Sequence, residues 1–212
     1  MRPLQGLYLV LDTSLEVSVL LQKLGDALAG GVDIVQIWNN WPEDFQEQDK
    51  IATIKKIQQL IEPYQVPLII HEDWSLALKT KAAGIHFDTL PDKWSEMKEK
   101  LSDYLIGFTV GNEIEKIEWA IAENVAYLSF CAMFPSSSVD SCDIVSPETV
   151  LFAGELTDIP LFLSGGITPE KLDQLGHLTY KGVAVISGIL NTYSPTKAAE
   201  SYKEALVKNK II

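Results

Sequence analysis

The 212-residue sequence is short of several things, and each shortage excludes a class of protein. Its two cysteines, Cys131 and Cys142, make neither a disulfide framework nor a zinc-ligand spacing. That pattern fits a reducing compartment, and a cytoplasmic protein is expected. No apolar run approaches the ~18 residues of a spanning helix, so no membrane association is expected. The opening "MRPLQGLYLV" leads into a strand pattern rather than a cleavage site. Basic residues are scarce: 17 Lys and Arg stand against 29 Asp and Glu, a net charge of −12. A nucleic-acid backbone would be repelled, so no nucleic-acid partner is expected. Any phosphate site must then rely on oriented backbone dipoles, a metal or a few placed cations. The G-x-G-x-x-G fingerprint of dinucleotide folds is also missing, and "LVLDTSL" follows the first strand-like run instead. Linkers, repeats and low-complexity stretches are absent, and residues 1–212 read as one domain.

Apolar residues are plentiful, at 47% of the chain, and they fall in short runs. Eight runs read as strands: "LYLVL" (7–11), "DIVQIW" (33–38), "PLIIH" (67–71), "GIHF" (84–87), "YLIGF" (104–108), "AYLSF" (126–130), "PLFLS" (160–164) and "GVAVIS" (182–187). They are nearly continuous in apolar character, the mark of strands buried on both faces in a parallel sheet. Helix-period stretches such as "FQEQDKIATIKKIQQLIEPY" lie between them. Asn112 with Glu115 fits a helix cap, and Ser194 with Pro195 fits the start of the last helix. Eight strand–helix units predict an α/β protein of the (β/α)8 TIM-barrel class, near the minimum length for that fold.

A barrel carries its chemistry where strands end and βα loops begin. Those positions are Asp12, Gln36 to Asn40, His71 to Asp73, His86 to Asp88, Thr109, the loop 131–145, Gly165-Gly166 and Ser187-Gly188. The stretch "PLFLSGGITPE" puts two glycines between the seventh strand and a helix start. With Ser187-Gly188 at the next strand end, the pair suggests a phosphate cradle in which glycine lets oxygens approach the backbone. The plainer alternative is a tight turn. Glu72, Asp73 and Asp88 beside His71 and His86 suit a divalent metal or acid–base chemistry, and equally an acidic solvated rim.

The segments "GLYLVLD", "GGVDIVQI", "VPLIIHEDWSLAL", "AAGIHF", "IGFTVGN", "FPSSSV", "IPLFLSGGIT" and "GVAVISGI" occur in order along nearly the whole chain. In this the sequence resembles the thiamine-phosphate synthase and thiazole tautomerase superfamily. The resemblance implies a barrel that binds a thiazole phosphate and a hydroxymethylpyrimidine diphosphate. Loss of pyrophosphate, assisted by Mg²⁺, would leave a pyrimidinylmethyl cation that the thiazole nitrogen captures. Carried over by position, Gly165, Gly166, Ser187 and Gly188 correspond to the phosphate cradle, and Ser136 and Ser138 to two threonines that reach it. Gln36 keeps a substrate-binding position, Thr109 stands for a serine, and Glu72 and Asp88 are the expected Mg²⁺ ligands. His71 and Thr109 are the candidate catalytic side chains.

The departures are concentrated in the diphosphate half. Trp38, Asn40, Asp73 and Val139 stand where the family has cations, and Ala132 stands where the tautomerases have a histidine. The resemblance therefore implies a small-molecule phosphoester as partner, with the coupling activity weakened. A phosphate-ligand-binding protein and a barrel enzyme for an unrelated phosphoester are the alternatives. Trp38 and Trp74 are expected to fill the emptied half-site. The resemblance is compatible with a homodimer.

Overall fold

In a computed structural model, which describes residues 3–135 and 143–212, eight parallel strands close on themselves in sequence order. They are β1 (Gly6–Leu11), β2 (Ile34–Ile37), β3 (Leu68–His71), β4 (Gly84–Phe87), β5 (Leu105–Val110), β6 (Tyr127–Phe130), β7 (Leu161–Ser164) and β8 (Gly182–Val185). Closure is made by β1, where Tyr8 pairs with Ile34 on one side and with Ala184 on the other. All positions of β1 to β4 and of β6 are buried. That is why these runs read as unbroken apolar segments: one face packs inside the barrel and the other against helices.

Alternation along the strands divides the core. Tyr8, Val10, Ile34, Ile69, Tyr127 and Phe162 pack together as one cluster. Their neighbours in sequence, such as Leu7, Leu9, Val35 and Leu128, join the larger core beneath the helices. Gly107 on β5 belongs to the first arrangement, because a Cβ there would strike the ring of Tyr127 on the adjacent strand.

The helices are α1 (Val17–Ala29), α2 (Glu47–Ile61), α3 (Trp74–Thr80), α4 (Trp94–Lys100), α5 (Ile114–Ala122), α6 (Pro147–Leu156), α7 (Leu172–Leu175), α8 (Ser187–Leu190) and α9 (Pro195–Lys208). Among the described residues, no helix is long and apolar enough to cross a membrane. The predicted start of α9 holds: Ser194 caps it, accepting from Lys197 N–H, with Pro195 in the first turn. The predicted cap at Asn112 does not. Glu113 occupies the N-cap of α5, while Asn112 reaches across the loop, donating to Ile144 O at 3.0 Å and accepting from Ser146 N–H at 2.8 Å. A side chain with both donor and acceptor bridges two backbone strands better than it caps one helix.

Candidate active site

A cavity of about 390 Å³ opens where the strands end, lined by residues from β1 to β8. Its wall includes Gln36, Trp38, His71, His86, Asp88, Thr109, Gly165, Gly166, Ser187 and Gly188. Sequence-expected residues from six strand ends thus share one space. No Lys or Arg is among the lining residues described. Ser136 and Ser138, with Val139, lie outside the described residues.

On one side of the cavity, the chain leaving β7 turns through Gly165 (φ +82°) and Gly166 (φ +63°), a backbone that L side chains resist. Met133 N–H donates to Ser164 O at 2.8 Å, and Phe134 N–H to Gly165 O at 3.1 Å. In a trans peptide the carbonyl and the next N–H point in opposite directions. The N–H groups of Gly165 and Gly166 therefore face away from the Met133–Phe134 segment. Successive amides aimed into one concavity form an anion-binding nest. The reason for glycine differs from the one the sequence suggested. A Cβ on Gly166 would lie 2.5 Å from Pro135 O and 2.8 Å from Phe134 O, and one on Gly165 would strike Ala132. The glycines make room for the neighbouring loop as well as allowing the turn. Gly188 has a similar cause, since a Cβ there would meet the Tyr202 hydroxyl.

The opposite side is a chain of polar side chains running through the barrel interior. Tyr8 OH lies 2.6 Å from the Gln36 amide oxygen and 2.7 Å from Tyr127 OH. Tyr127 OH lies 3.0 Å from His86 Nδ1, His86 Nε2 lies 2.7 Å from Thr109 Oγ1, and that hydroxyl donates to Asp88 Oδ1 at 2.6 Å. Five contacts link Gln36 to Asp88. Three hydroxyls and a neutral imidazole bring four hydrogens. The fifth comes from a second proton on His86 or from the Gln36 NH₂ after a half-turn of the amide. Burial lowers the His86 pKa and outweighs the opposing pull of Asp88, so the ring is neutral and the amide supplies the hydrogen. Oxygen and nitrogen of an amide are assigned from such networks. The tyrosines stay protonated: burial raises the pKa of both Tyr8 and Tyr127.

Asp88 anchors the end of this chain. Its Oδ2 also lies 2.8 Å from His71 Nε2, and Lys116 Nζ donates to its backbone carbonyl at 2.8 Å. Burial opposes the charge on Asp88, but the hydrogen-bonding of the His71 and His86 rings toward it prevails and holds the carboxyl well below its ordinary range. Asn39 N–H approaches His71 Nδ1 at 3.5 Å, which leaves the ring hydrogen on Nε2, donated to Asp88. His71 and Thr109 therefore line the cavity with their polar atoms engaged in holding Asp88.

A pH dependence follows from His86, which is faced by Asp88, Thr109, Tyr127, His71 and Glu72. The unfolded chain protonates this ring near pH 6.5 and the folded chain only at lower pH. Its contribution to stability is complete above about pH 6.5 and falls as the pH drops below that value. In metal-free buffer, the thermal midpoint should be lower at pH 5 than at pH 7. The fall should shrink in His86→Gln. A flat midpoint would mean that folding leaves the ring's pKa where the unfolded chain has it, and a rise toward pH 5 would mean that Asp88 holds the ring protonated.

Glu72 sits at φ +61°, and its Oε1 accepts from Asp88 N–H at 2.7 Å. Ligand atoms of His71, Glu72 and Asp88 lie within 4.8 Å of one another. Each Asp88 oxygen spends one lone pair on the bonds above and keeps another. Two carboxylates with spare lone pairs are the hard oxygen donors that Mg²⁺ takes, so the residues fit such an ion. Asp73 is not part of this set: it caps α3, accepting from Leu76 N–H at 2.8 Å.

One expectation changes. Trp38 lines the cavity, but Trp74 is not among its described lining residues and instead lies under Lys100, whose Nζ is 5.4 Å from the ring centroid. The tyrosines of the polar chain were not anticipated. Tyr8 and Tyr127 sit inside apolar runs, where tyrosine reads as core. The one available signal was that both fall on the inward phase of their strands.

The fold and the cavity define a (β/α)8 barrel whose polar pocket lies at the strand C-termini, where barrel enzymes carry their active sites. Its family follows from comparison: the family model described as thiamine monophosphate synthase matches residues 7–189, and the chain belongs to that family. It is 30% identical over 203 residues to a thiamine-phosphate synthase of Clostridium perfringens, covering 95% of this chain and 96% of the relative. A thiamine-phosphate synthase of Geobacillus kaustophilus is 31% identical over 185 residues, covering 86% and 83%. Among solved structures, a thiamine phosphate pyrophosphorylase from Pyrococcus furiosus superposes with a TM-score of 0.83 at 21% identity, covering 97% of this chain and 96% of that one.

Proposed function

We propose that the protein acts in thiamine metabolism as a binder of a thiazole monophosphate whose coupling to a pyrimidine diphosphate is severely weakened. The observation that carries this is the absence of Lys and Arg among the described lining residues of the cavity. A monophosphate needs few donors, and the amides of the Gly165–Gly166 turn with Ser187 and Gly188 offer them. A diphosphate carries about three charges, and charge-assisted bonds to it contribute ~1.5–3 kcal/mol each. Here Trp38 presents an indole to the space instead. Glu72 and Asp88 would hold Mg²⁺, which would supply partial neutralisation of a leaving pyrophosphate.

Within the chain, Gln36 and Trp38 bound the space for the ring, while the Tyr8–Tyr127–His86–Thr109 chain keeps Asp88 ionised and fixed. A tautomerase-like activity is less well supported, because the buried Ala132 stands where those relatives have an acid–base histidine. Isothermal calorimetry tests the reading. Thiazole phosphate should bind one per chain, and the dephosphorylated thiazole at least about tenfold more weakly. Equal affinities would refute it.

A further inference from the structure

We propose that Lys171 is a positioning residue for the anion site, holding the Gly166–Ile167 peptide so that the Ile167 amide joins those of Gly165 and Gly166. The inference rests on the phosphate reading given above. Lys171 Nζ donates to Gly166 O at 2.7 Å and stands 4.7 Å from the centroid of the Phe134 ring. It thus lies on the same side of the turn as Met133 and Phe134, whose N–H groups hold the two preceding carbonyls. Three carbonyls in a row, of Ser164, Gly165 and Gly166, are drawn to that side. The three N–H groups that follow them must point the other way.

The third of these restraints differs in kind. The first two are backbone bonds between adjacent βα loops, whereas the third depends on one side chain. Lys171 is well placed for it, because its own N–H is bonded to Thr168 O at 3.0 Å and the next residue, Leu172, is fully buried. The root of the side chain is fixed, so the ammonium is held rather than free to wander. An ammonium on a carbonyl also polarises that peptide, which makes its N–H a stronger donor. In a chain of net charge −12, a cation behind the nest adds attraction for an anion without entering the cavity.

The experiment uses the full chain, ¹⁵N-labelled and titrated separately with inorganic phosphate and thiazole phosphate. In the unmodified protein, the amide protons of Gly165, Gly166 and Ile167 should all move downfield. In Lys171→Met, which keeps the stem against Phe134, the Ile167 shift should be lost while those of Gly165 and Gly166 persist. Affinity should fall about tenfold, and Lys171→Arg should restore both. Thermal midpoints of the variants check that they fold. An unchanged Ile167 shift and affinity in Lys171→Met overturn the role of the lysine and leave the cradle standing. If none of the three amides moves in the unmodified protein, the phosphate reading itself falls, and this inference with it.

Discussion

Given thiazole phosphate, hydroxymethylpyrimidine diphosphate and Mg²⁺, the protein should form thiamine phosphate at no more than about a hundredth of the rate of a relative that keeps the cations. Two missing charge-assisted bonds at ~1.5–3 kcal/mol each amount to at least ~3 kcal/mol, and each 1.36 kcal/mol is a tenfold loss in rate. The structure also ranks the repairs. Trp38 lines the cavity, so Trp38→Arg should give the largest single gain. Asn40 is turned elsewhere: its Nδ2 donates to Asp12 Oδ1 at 3.1 Å, and its N–H to Thr13 Oγ1 at 3.2 Å. Lysine at position 40 would pair with Asp12, and its benefit should emerge only when Asp12→Asn is added. Combined with Val139→Lys, which lies outside the described residues, the set should exceed the sum of its parts because the groups share one ligand. Fast turnover by the unmodified protein, measured as pyrophosphate release, would show that Glu72, Asp88 and a metal suffice.

Replacing Gly166 with leucine should reduce thiazole-phosphate affinity by at least a hundredfold in calorimetry. An L residue at φ +63° meets a strain of ~1–2 kcal/mol, and its Cβ would stand 2.5 Å from Pro135 O. Relief requires the turn to rotate, and rotation takes the Gly166 and Ile167 amides out of alignment. Gly25→Ala is the control, since the nearest atoms to a Cβ there are 3.9 Å away; it should bind normally. Unchanged affinity in Gly166→Leu would remove the anion from this turn.

The barrel was legible because burial on both faces leaves a strand almost wholly apolar. All eight runs lie within a few residues of the strands observed. Side-chain partnerships were less readable. The sequence shows Asn112 near a helix start but not that the loop before α6 passes within reach. Asp73 looked like a lost cation at the site, yet it is committed to capping α3. Trp74 follows it and inherits that helix's direction, toward Lys100. The polar chain needs Tyr8, Tyr127 and His86 on three strands at once, which only barrel closure brings together.

The two sides of the cavity have different tolerance for sequence drift. On the proposed reading, the β7 turn would address its ligand with main-chain amides, which every residue except proline possesses. Most substitutions on the surrounding wall leave that grip in place, provided the two glycines remain. Recognition by side chains, as at Trp38, is open to revision by a single codon. A descendant of such a barrel can thus exchange one reactant for another while keeping hold of the first, and natural variation in this family should be conservative around the turn and permissive across from it.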